Sequence, residues 1–84
     1  MPNPFNPTTT LRFSTAEPGV VSLAIYDVSG RLVRTLVDGP VEAGQHEVVW
    51  DGRDALGRDV ASGAYIYRLA GQRGTLTRRM VLLR

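Results

Sequence analysis

The chain has 84 residues, 43% of them apolar, with nine glycines, five prolines and no cysteine; its ten basic residues, all arginine, outweigh eight acids for a formal charge of +2. That length allows one small domain without disulfide or thiolate metal site, burying roughly 60–65% of the surface its unfolded form exposes. The charge is too small for nucleic-acid binding through a clustered basic face, and no run of about 18 apolar residues is present to span a membrane.

In chain order, residues 1–7 hold three prolines and no apolar block, so no signal peptide is expected there. Pro2, Pro4 and Pro7 stiffen the backbone, and residues 1–8 read as a linker or lead-in strand with Phe5 as a small anchor. Residues 9–84 then form the domain, which is expected to be one module of a longer polypeptide. Leu11 and Phe13 alternate with Thr10, Arg12 and Ser14. Glu17-Pro18-Gly19 suits a type II turn. Val21, Leu23 and Ile25 alternate with Ser22, Ala24 and Tyr26, the clearest one-sided strand. Asp27-Val28-Ser29-Gly30 closes it as a hairpin, with Gly30 free to take a positive φ.

Leu32 to Val37 is the return strand, in which Val33 and Leu36 share a face only through a bulge. Gly39-Pro40 and Ala43-Gly44 are expected to bound a surface loop. Gln45 to Trp50 is the next strand, with Val48 and Trp50 facing the same way, and Asp51 to Gly63 is the longest irregular stretch. After a Ser62-Gly63 turn, Tyr65, Tyr67 and Leu69 share one face. Gly71 to Gly74 makes a hairpin, and Leu76 to Arg84 a last strand. Six to seven short strands at this spacing, with almost no helical periodicity, predict an all-β fold, an immunoglobulin-like antiparallel β-sandwich. Its expected core is Leu11, Phe13, Val21, Leu23, Ile25, Val48, Trp50, Tyr65, Tyr67, Leu69, Met80 and Leu82.

Three blocks carry a family likeness: Pro2-Asn3-Pro4-Phe5-Asn6-Pro7-Thr8-Thr9, Leu23-Ala24-Ile25-Tyr26-Asp27-Val28-Ser29-Gly30-Arg31 and Ser62-Gly63-Ala64-Tyr65-Ile66-Tyr67-Arg68-Leu69. Together they resemble the C-terminal sorting domains of type IX (Por) secretion cargo. The block from Gly44 through Trp50-Asp51-Gly52 to Leu56-Gly57 also resembles the immunoglobulin-like domain of flagellar hook-capping proteins. The first resemblance implies a non-catalytic module that takes a parent protein across the outer membrane of a bacterium to the surface, with secretion machinery and the preceding parent polypeptide as partners. It implies Arg78, Arg79 and Arg84 as recognition contacts, although that family usually carries lysine in this last strand. The second implies a structural or assembly module, such as a hook-cap-like domain or a terminal spacer of an extracellular enzyme. As an isolated domain the chain is expected to be a monomer.

Asp51, Asp54 and Asp59 sit among glycines and could offer oxygens to calcium. Their spacing fits no standard calcium loop, and Arg53 and Arg58 are ready counter-charges, so turns stabilised by aspartate are favoured. His46 is the lone histidine, and Ser14, Ser22, Ser29 and Ser62 have no catalytic motif around them, so no enzyme and no cofactor is expected. Trp50, Tyr65 and Tyr67 could stack on a sugar, but their alternation favours core packing. Residues 60–84 hold five arginines and no acid, +5, while residues 1–59 hold five arginines against eight acids, −3. That basic end can blunt an edge strand, dock an acidic partner or anionic surface, or do both.

Overall fold

The computed structural model describes residues 8–84. Six strands follow one another there: β1 (Thr9–Thr15), β2 (Gly19–Asp27), β3 (Leu32–Val41), β4 (Gly44–Trp50), β5 (Gly63–Gly71) and β6 (Gly74–Leu82). The proline-rich lead-in expected over residues 1–8 lies outside the described residues, Thr8 excepted. Period-two alternation makes these strands, because each can bury one row of side chains and leave the other exposed. β1 and β4 form a two-stranded sheet and β3-β2-β5-β6 a four-stranded one, all pairings antiparallel. Packed together they make the predicted sandwich, with six strands.

Trp50, Leu23, Ile25 and Leu82 are the largest fully buried side chains, and Leu11, Val21 and Tyr65 are also buried. Burying each such side chain contributes about 1.5–3 kcal/mol relative to leaving it exposed. Phe13, Val48, Tyr67, Leu69 and Met80 are half-buried and pack against that centre, so all the expected core residues are found in it or beside it. The ambiguity of β3 is resolved by two bulges. The register steps from Leu23↔Val37 to Ala24↔Thr35, and from Ile25↔Arg34 to Tyr26↔Leu32. Each step leaves one extra residue on β3, Leu36 and Val33, and both turn inward against the core.

Two local expectations are corrected. Gly39 and Pro40 do not bound a loop; they continue β3 and pair with Val21 and Val20. β3 is an edge strand, where a residue lacking an N–H is tolerated. Nor does Glu17-Pro18-Gly19 form a type II turn, since Gly19 opens β2 without the positive φ such a turn needs. Gly19 answers a different constraint. A Cβ there would lie 2.9 Å from the Gln72 side chain.

Candidate functional site

One end of the sandwich carries two loops of the same pattern, Asp27-Val28-Ser29-Gly30-Arg31 between β2 and β3, and Asp54-Ala55-Leu56-Gly57-Arg58 within the connection from β4 to β5. Their hydrogen bonds repeat position by position. The aspartate N–H donates to the arginine carbonyl (3.0 Å in the first loop, 2.9 Å in the second), and the glycine N–H to the aspartate carbonyl (3.0 Å in both). The aspartate Oδ1 accepts from the backbone N–H of Ser29 (3.0 Å) or Leu56 (2.9 Å), and from that of Arg31 or Arg58 (3.0 Å each). Gly30 and Gly57 have φ of 92° and 79°, the left-handed region where a side chain is strained. Aspartate and glycine are therefore the two residues the loop geometry demands.

Both carboxyls are held below the ordinary aspartate value. For Asp27 the Ser29 hydroxyl, donating at 2.6 Å, is the largest cause, followed by the Arg31 N–H. For Asp54 the Arg58 N–H comes first, then, against a desolvation penalty, the Leu56 N–H and the Arg58 side chain. The second loop is tied to the start of β3, directly after the first: the Ala55 N–H donates to the Val33 carbonyl at 3.1 Å. Between them lies an open cleft of about 250 Å³, lined by Asp27, Arg31, Leu32, Asp54, Arg58 and Tyr65 among others. Reading each loop separately hides the repeat; aligning the two D-x-x-G-R stretches is the sequence signal that would have revealed it.

Asp51, Asp54 and Asp59 do not converge on a calcium site. Asp51 accepts from the Arg53 N–H (3.1 Å) and pairs with Arg34 (3.4 Å). Asp54 is saturated within its loop and pairs with Arg58 at 3.1 Å, while Asp59 faces Arg53 (3.3 Å) and Arg84 (3.6 Å). No cluster of three His, Cys, Asp or Glu suited to a metal occurs among the described residues. The calcium candidate falls because each carboxylate already has its donors.

The three terminal arginines are not brought together. Arg78 pairs with Tyr67 and Arg79 with Ile66, so adjacent positions on β6 send them to opposite faces of the sheet. Arg84 folds back into the connection between β4 and β5. Its guanidinium donates to the carbonyls of Gly52 and Val60, its backbone N–H to Ser62 Oγ (2.9 Å), and its side chain is only 20% exposed. Gly63, expected in a turn with Ser62, is the first residue of β5, with φ of 150°.

The aromatics are internal. Trp50 is fully buried, donates from Nε1 to the Arg53 carbonyl (3.0 Å) and meets Tyr65 edge to face, with centroids 5.3 Å apart. Tyr65 donates its hydroxyl to the Ala61 carbonyl at 2.6 Å, the tyrosine-corner arrangement of such sandwiches. Tyr67 packs against the core. A sugar platform from these three side chains is therefore not formed. His46 stacks on Phe13 (5.0 Å), and its Nε2 lies 2.7 Å from the Glu42 carbonyl, which requires Nε2 to carry the proton.

Fold, tyrosine corner and twin loops define an immunoglobulin-like β-sandwich module. Residues 5–75 match the model of the FlgD Ig-like domain, and the chain belongs to that family. It is 39% identical over 54 residues to "Basal-body rod modification protein FlgD" of Salmonella typhimurium (strain LT2), and equally so to the protein of that name from Salmonella typhi. Those alignments take in 64% of this chain and 23% of each relative, so the chain spans about a quarter of the length of the curated relatives it matches. The fold is shared with the crystal structure of FlgD from P. aeruginosa, with a TM-score of 0.70 at 23% identity over 90% of this chain and 60% of that one. These matches overturn the type IX sorting reading: the family is that of FlgD, and the other resemblance, to the immunoglobulin-like domain of hook-capping proteins, is the one that stands.

Proposed function

We propose that this domain is a non-catalytic assembly module of a flagellar rod- or hook-modifying protein, acting on the outer side of the cell envelope. The observation that carries this is the family match over residues 5–75. The local chemistry supports it: aspartates, arginines and serine at the twin-loop end are committed to fixing loop shape, as a module valued for its surface requires. Deleting the gene for the full-length polypeptide in its host tests the reading. Basal bodies without complete hooks, and loss of motility, are expected; normal hooks and normal swimming would refute it.

A further inference from the structure

A sheet with one solvated face ordinarily turns polar residues outward. The outer face of β3-β2-β5-β6 departs from this. Its central rows, read across the register, are Leu32–Tyr26–Ile66–Arg79 and Thr35–Ala24–Arg68–Thr77. Leu32 and Val81 are 53% and 61% exposed on that face, and Val20 at its far end is 62% exposed. Ala24 is 5% exposed although it points away from the core, leaving a shallow dip between longer neighbours. Apolar groups thus cross the sheet from its β3 edge to β6.

Charge on this face is one-sided. Among the described residues six arginines form ion pairs and Arg31, Arg68, Arg78 and Arg79 form none; of these four, Arg68 and Arg79 lie on this face. They are diagonal neighbours on β5 and β6, and among the described residues the only acid on the face is Asp38, opposite Ser22 on the far edge strand. We propose that this face docks a partner protein through an apolar strip flanked by carboxylates. The strip would lie along Leu32, Tyr26, Ile66 and Val81, with its acids on Arg68 and Arg79, whose planar forks suit carboxylates. A second copy of this chain fits poorly, because two arginines against one aspartate would face the same excess charge. A polyanion fits poorly too, since only two cations border the apolar strip. Four strands by about seven residues span on the order of 450 Å², below the roughly 800 Å² per partner of a standard stable interface. The complex is therefore a reversible one.

The inference rests on the assembly reading only in taking the ligand to be a protein; it does not require a flagellum. A photo-crosslinking amino acid is placed at Val81, or at Val49 as an exposed control on the other sheet, in the full-length polypeptide in its own cells. Val81 should mark one protein at a segment with apolar residues beside Asp or Glu, and Val49 should not. That protein, purified, should bind the R68E/R79E double variant at least about tenfold more weakly than the parent, with circular dichroism and Tm unchanged. Crosslinks to a second copy, to another part of the same polypeptide or to no protein would overturn the proposal, as would an unchanged Kd. Should hooks be lost on gene deletion while Val81 finds no partner, only the surface assignment falls.

Discussion

Replacing Arg84 by alanine separates a structural role for the last residue from a recognition role. In the folded chain its guanidinium holds the Gly52 and Val60 carbonyls and faces Asp59 at 3.6 Å. Hydrogen bonds from a charged donor contribute about 1.5–3 kcal/mol each in good geometry, with the lower end apt at a partly exposed site. The exposed ion pair adds at most about 1 kcal/mol, while ordering the arginine costs up to about 2 kcal/mol. The net loss is about 1–2 kcal/mol, against a total stability of roughly 4–13 kcal/mol for a domain this size. At about 4–8 °C per kcal/mol, R84A should lower Tm by roughly 4–16 °C in calorimetry or a circular dichroism melt. R79A, which removes an exposed side chain without an ion pair among the described residues, should change Tm by less than about 2 °C. Equal melting of the two variants would refute the view that Arg84 staples the loop.

Gly30→Ala and Gly57→Ala should each cost roughly 1–2 kcal/mol in a denaturant titration. No atom lies within 4 Å of either added Cβ, so the whole cost is backbone strain, and asparagine at the same positions should recover part of it. Tyr65→Phe should cost about 1 kcal/mol, read as a lower midpoint, with the near-ultraviolet signal of Trp50 retained because the edge-to-face contact survives. Asp27 and Asp54 have depressed folded-state pKa values, so their contribution is present above the unfolded value near about 3.9 and is lost as pH falls through the folded values. Tm of the parent should therefore drop more steeply below about pH 4 than that of the D27N/D54N variant; identical slopes would contradict the loop electrostatics.

Much of the fold could be read from the residues because alternation, Gly-rich turns and aromatic placement all point to the same sheets. Val21, Leu23 and Ile25 are buried as their spacing demands, and even the bulges of β3 follow from Val33 and Leu36 needing one face. Composition misled at Gly39-Pro40, where edge position outweighs local propensity. It misled again at the terminal arginines. Charge counted along a chain does not reveal which residues fold back on carbonyls, and Arg84 reaches Gly52 across 32 positions. The outer face of the larger sheet was likewise hidden, since it is assembled from four strands distant in sequence.

The arginine-only basic complement has a structural consequence beyond charge. The connection from Asp51 to Ser62 contains no strand and no cysteine to clamp it, yet it must hold Trp50 and Tyr65 in the core. Four arginines bind it from different directions. Arg34 lies within 3.5 Å of Asp51 Oδ1 and of the Arg53 and Asp54 carbonyls; Arg53 meets Asp59, Arg58 meets Asp54, and Arg84 closes the far end. A guanidinium offers five donors in a fixed plane and so can bridge several carbonyls at once, whereas an ammonium is a compact point charge. The carbonyls bridged here belong to residues flanking the Trp50 and Tyr65 side chains, so the polar clamp and the apolar core stabilise the same segment. Because clamp and core share this backbone, variants that loosen both, such as R84A with Y65F, should cost more or less than the sum of the single changes in a double-mutant cycle.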